Sequence, residues 1–134
     1  MDQKELEQIT RTRIAKNAFM NYNHLELVFI TPEYCECRLI VRPESTNHYG
    51  FVHGGALFSL ADVTAGSLAH ADGHRHVTQN ASFHNISNQK DGIITCRASI
   101  THRGRTTCLV SVRVTGTGGR LLAVGEFTYF CIGE

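Results

Sequence analysis

The chain has 134 residues, 42% hydrophobic and 19% charged, which is enough for one packed core and too little for two, so residues 1–134 are expected to form a single domain. Thirteen Lys and Arg against twelve Asp and Glu leave a formal net charge of +1, which excludes a global field drawing the chain to nucleic acid or anionic lipid. Five cysteines cannot all pair within the chain, and the first twenty residues lack the continuous apolar run of a secretory signal, so free thiols and a cytoplasmic location are expected.

From Asp2 to about Tyr22, Leu6, Ile9, Ile14 and Ala18 recur at loosely helical spacing between charged residues and predict one amphipathic surface helix. His24 to Ile30 and Tyr34 to Val41, separated by Thr31-Pro32, predict two strands joined by a turn. Cys35 and Cys37 fall on one face of the second strand. With no Cys-x-x-Cys pair in the chain, they read as small buried hydrophobes.

A polar loop, Pro43 to Gly50, runs into Gly54 to Ala71, where Asp62 is the only Asp, Glu, Lys or Arg. Leu57, Leu60, Ala61 and Leu68 make one helical face apolar, and Phe58, Ala65 and Ala69 make the other apolar too. Such a helix is either buried or spans a membrane. A mid-bilayer carboxylate costs about 3 kcal/mol, so the segment predicts a core helix wrapped by sheet and no membrane partner.

Strand signals fill the rest: Val77 to Ile86, Ile94 to Thr101, Cys108 to Thr115 and Leu121 to Cys131. Turns fall at Lys90-Asp91-Gly92, Arg103-Gly104-Arg105 and Gly116 to Gly119, each short enough for an antiparallel hairpin or meander. The class is α+β. One long antiparallel sheet leaves an edge strand to protect, and pairing with a second copy is the common remedy, so at least a dimer is expected.

A buried, unpartnered carboxylate costs several kcal/mol, so Asp62 must meet hydrogen-bond donors or line a cavity that holds water and ligand. Upstream, the loop Asn47-His48-Tyr49-Gly50-Phe51-Val52-His53-Gly54-Gly55 enters the helix through two glycines, whose backbone N–H groups are free to bind an oxyanion at the positive end of the helix dipole. Asp62 lies roughly 12 Å further along the helix, too far for both features to act on one bond within a single chain. A dimer that sets the helix start of one copy opposite Asp62 of the other removes the difficulty.

Asn47-x-x-Gly50-x-x-His53-Gly54-Gly55, continued by Leu57-Phe58-Ser59-Leu60-Ala61-Asp62, closely resembles the signature of hotdog-fold acyl-CoA thioesterases of the phenylacetate-pathway, or PaaI, type. The resemblance implies a curved antiparallel sheet around one central helix, here with an extra N-terminal helix, in dimers that pair into tetramers. It implies hydrolysis of an acyl-CoA carrying an aromatic or a medium or long-chain acyl group, with no cofactor. It puts the acid that activates or supplies the nucleophile at Asp62 and the carbonyl-polarising N–H at Gly54, beside Gly55, while Asn47 and His53 position thioester and water. Across the dimer a hydroxyl residue early in the next strand assists the acid, and the aligned position is Thr78, with Gln79 and Asn80 adjacent. Arg103 and Arg105 are candidates to pair with coenzyme phosphates. His70, His74, His76 and Asp72 match no standard metal pattern, and no metal is expected. Two alternatives share the resemblance: a non-catalytic acyl-CoA-binding protein, and an acyl-thioester hydratase or dehydratase.

Overall fold

The computed structural model describes residues 1–134, and in it the N-terminal helical stretch divides in two: α1, Gln3–Ala15, and α2, Ala18–Tyr22. The single helix expected to Tyr22 is thereby corrected. Asp2 caps α1 by accepting from the Glu5 N–H, and Asn17 restarts the chain by accepting from the Met20 N–H, which aims Met20 into the core. Strands β1, Leu25–Ile30, and β2, Tyr34–Ile40, follow as an antiparallel pair.

Helix α3, Gly54–Ala69, is the central element. Leu57, Leu60 and Leu68 are fully enclosed, each contributing about 1.5–3 kcal/mol of burial. The enclosure is not complete. Phe58 is exposed, and Asp62 and Val63 are half-exposed, so within one chain the helix is open on one side. The all-round apolar pattern had implied a helix wrapped on every side.

Strands β3, Arg75–Asn85, β4, Ile93–Arg103, β5, Thr107–Thr115, and β6, Leu121–Gly133, complete one six-stranded antiparallel sheet in the order β1-β2-β4-β5-β6-β3. The sheet curves around α3 as a hotdog fold. Cys35, Cys37, Cys96 and Cys108 are buried on its inner face, with free thiols.

The four last strands are not a simple meander. Because β3 pairs only with β6 at the far edge, the chain crosses from that edge to the middle of the sheet through Ile86–Gly92 before β4 begins. The Lys90-Asp91-Gly92 turn therefore closes no hairpin. The crossing braces the loop ahead of α3 instead: the Asn88 side chain donates to Val52 O, and the Val52 N–H donates to Gln89 O.

The two sheet edges differ. Along β1, Arg11 of α1 donates to the carbonyls of Leu27 and Val28, and Gln3 donates to that of Ile30, which blunts the edge. Nothing in the chain covers β3, where nine of eleven residues are exposed.

Candidate active site

Asp62 lies in mid-helix on the open side of α3, and two hydroxyls meet it. Thr78 Oγ1 donates to Asp62 Oδ1 at 2.8 Å, and Tyr129 OH approaches the same oxygen at 2.8 Å. Oδ2 receives no hydrogen bond from the chain. Thr78 and Tyr129 are direct cross-strand partners, and a bulge at Gln79 sets that register. Without it, Thr78 and Phe83, five residues apart, could not both face α3. Thr78 reaches the Asp62 of its own chain, which corrects the expectation that the hydroxyl comes from across a dimer.

Tyr129 is only 2% exposed. Burial first, and then the negative charge of Asp62, hold its phenol well above the ordinary tyrosine range, so it is a permanent donor near neutral pH. Motif reading missed it because it stands 67 residues from Asp62. The available signal was its inward position in the apolar alternation of β6, where a buried tyrosine hydroxyl needs a partner.

At the start of α3, His53 is the N-cap, and its Nδ1 accepts from the Gly55 N–H at 2.8 Å. A Cβ on Gly55 would stand 3.0 Å from that nitrogen, so glycine makes room for the cap. The N–H groups of Ala56 and Leu57 return to His53 O. The Gly54 N–H has no partner in the chain. Asn85, at the far end of β3, brings its Nδ2 to 3.8 Å from where a Gly54 Cβ would be, so an amide sits beside the free N–H.

Asn47 Oδ1 accepts from the N–H groups of Tyr49 and Phe51 at 2.9 and 3.2 Å, so the oxygen organises the loop while the side-chain amide N–H groups stay unbonded. Gly54 and Asp62 are eight residues apart on one helix, about 12 Å. No single chain brings them together.

Arg103, the first candidate for the coenzyme phosphates, turns back onto α3. Its guanidinium donates to Leu68 O and Ala69 O at 3.0 Å and to Asp72 Oδ2 at 2.9 Å, so it caps the C-terminus of α3. A cation beside the last carbonyls of a helix is held by the dipole, which explains why this side chain turns inward. Arg105 is exposed and unpaired. His70 and His76 join the same cap: His70 Nδ1 donates to Gly66 O, its Nε2 accepts from the His76 N–H, and His76 Nε2 lies 3.1 Å from both Asp72 oxygens. Burial pushes the His70 imidazole down. Burial opposes ionisation of Asp72 as well, yet the His74 N–H, His76 and Arg103 together hold its carboxyl below the usual range.

Three aromatic rings stand beside the open face: Phe58 packs against Phe83 and Phe127 at centroid distances of 5.5 and 5.2 Å. The largest concavity, about 590 Å³, lies instead along the outer sheet face between Tyr34, His84 and Arg113, away from Asp62 and Gly54. No helix of the chain is long and apolar enough to cross a membrane.

The fold and this pairing of a half-buried acid with a bare helix start agree with a family match: residues 49–123, more than half of the chain, match the thioesterase superfamily, and the chain belongs to it. It is a thioester hydrolase of the hotdog fold. It is 31% identical to the conserved Pseudomonas aeruginosa protein PA5202, over 87% of this chain and 94% of that one, with a TM-score of 0.83. A hypothetical thioesterase of Streptococcus pneumoniae TIGR4, solved with coenzyme A, is also 31% identical, over 84% of this chain and 92% of that one, with a TM-score of 0.80. Escherichia coli PaaI, from the phenylacetic acid degradation operon, shares the fold, with a TM-score of 0.92 at 18% identity over 98% of this chain and 96% of that one.

Proposed function

We propose that the chain hydrolyses acyl-CoA thioesters at a site divided between two copies of itself. The carrying observation is that one helix holds both halves of a hydrolytic centre, the Asp62 carboxylate and the free Gly54 N–H, about 12 Å apart. The open β3 edge supplies the remedy. Asp62 neighbours Thr78 near one end of β3, and Gly54 neighbours Asn85 at the other. Antiparallel pairing of β3 with the β3 of a second copy, about its middle, brings the Thr78 end of each strand beside the Asn85 end of the other. Each pairing then makes two complete sites and buries the exposed edge.

In such a site the thioester carbonyl accepts from the Gly54 N–H of one copy. Asp62 of the other copy takes a proton from water as the water oxygen bonds to the carbonyl carbon. The oxyanion collapses, the C–S bond breaks, and the coenzyme leaves as a thiolate that takes up the proton held by Asp62. A positioned base contributes about 10² to 10⁴ in rate, and a preorganised N–H about 3 to 4 kcal/mol. His53 and Gly55 aim the helix start, and the Asn47 amide positions thioester and water. The exposed Arg105 is the remaining candidate for the coenzyme phosphates.

Coenzyme A as the carrier is supported by the S. pneumoniae structure and by a Streptococcus mutans relative, 31% identical, solved bound to acetyl CoA. Two further S. pneumoniae structures carry Asp-to-Ala and Thr-to-Ala changes sixteen residues apart, the separation of Asp62 and Thr78.

The test is thiol release from phenylacetyl-, hexanoyl- and palmitoyl-CoA by the wild-type protein and by Asp62→Asn. The variant should remain a folded oligomer with kcat at least about 10²-fold lower. Undiminished turnover would remove Asp62 from the mechanism.

A further inference from the structure

We propose that Tyr129 is a positioning residue for this reaction: with Thr78 it ties down Oδ1 of Asp62 and so reserves Oδ2 as the oxygen that takes the proton from water. The inference rests on the hydrolytic reading above and adds to it which carboxylate oxygen reacts and what holds it there.

Both donors converge on one oxygen. Thr78 comes from β3 and Tyr129 from β6, and each lies 2.8 Å from Oδ1. The Tyr129 hydroxyl also lies 2.8 Å from the main-chain carbonyl of Asp62. Its single proton is therefore shared between backbone and side chain of the same residue, which holds the carboxylate in one orientation relative to its own helix. An unrestrained aspartate on an open helix face would sample several rotamers and present either oxygen to solvent. Oδ2 is left with no partner in the chain.

The phenol is built into place. One turn beyond Asp62, Gly66 leaves room for the ring: a Cβ there would stand 3.4 Å from Tyr129 Cε1. The Phe127 ring lies nearly parallel to it at 6.3 Å, and the cross-strand register puts Thr78 directly opposite. In its own chain Asp62 is met only by these two hydroxyls, with no lysine, arginine or histidine in hydrogen-bond or ion-pair contact. Orientation thus comes from neutral donors, which leave the negative charge intact for proton transfer.

Tyr129→Phe removes one oxygen and keeps the ring. Measured by thiol release on whichever of the three acyl-CoA esters the wild-type protein turns over fastest, it should lower kcat at least about 10-fold with KM within about twofold. Melting temperature and oligomeric state should be retained. Thr78→Val should show the same split, and the double variant should lose less than the product of the two, because both donors act on one oxygen. A Tyr129→Phe protein at wild-type kcat, beside an Asp62→Asn protein that has lost about 100-fold, overturns the positioning role and leaves the acid's role standing. Full turnover in Asp62→Asn overturns both. If Tyr129→Phe does not assemble, Thr78→Val decides: unchanged kcat overturns the anchored oxygen, and lowered kcat at constant KM supports it.

Discussion

The two ends of α3 are finished in opposite ways. At the C-terminus Arg103 takes the carbonyls of Leu68 and Ala69, the His70 ring takes that of Gly66, and Asp72 neutralises the arginine. At the N-terminus the His53 ring takes the Gly55 N–H and the His53 carbonyl those of Ala56 and Leu57, but the first turn carries no acidic residue and the Gly54 N–H has no partner. A helix end closed by charge and hydrogen bonds contributes stability. One left open at its positive end gives up that stability and keeps a place for an electron-rich group.

Changes at each end should therefore have opposite signatures. The larger effect is expected from Gly54→Pro. His53 has φ −65° and ψ 136°, the conformation favoured before proline, and the first helical position accepts proline because its N–H bonds to nothing within the helix. The substitution thus deletes the one free donor while the helix stays. Circular dichroism should show a folded protein, with kcat lower by about 10²- to 10³-fold; Gly54→Ala, which keeps the donor, should lose at most a few-fold. Full activity in the proline variant would mean that the open end has no role in turnover. The smaller effect belongs to the other end. Arg103→Met should lower unfolding stability by about 2 kcal/mol in denaturant titrations, with kcat/KM for acyl-CoA changed only a few-fold. A variant with unaltered stability and a raised KM would return Arg103 to the coenzyme.

Much of this was legible in the residues, for local reasons. Alternation along Tyr34 to Val41 and Cys108 to Thr115 gave β2 and β5 because period-two burial is a nearest-neighbour property. The solitary charge of Asp62 in an apolar helix and the two glycines at its start marked both halves of the candidate site. The break after Ala15 was also local, and Asn17 was its unread signal. What lay hidden was long-range. That β3 lies beyond β6, that a bulge at Gln79 turns Thr78 toward α3, that Tyr129 completes the contact and that Arg103 folds back on the helix all depend on which strands become neighbours, which no window of sequence contains.

The central claim is that neither copy holds a whole site, and a hybrid dimer tests it most directly. Asp62→Asn and Gly54→Pro chains, given different affinity tags and co-expressed, are purified as the mixed species and assayed for thiol release. The hybrid pairs the intact Asp62 of one chain with the intact Gly54 of the other at one of its two sites, so it should recover about half of wild-type activity although both parents are nearly inactive. A hybrid no more active than its parents would mean that acid and N–H serve one chain together, and would contradict the shared site.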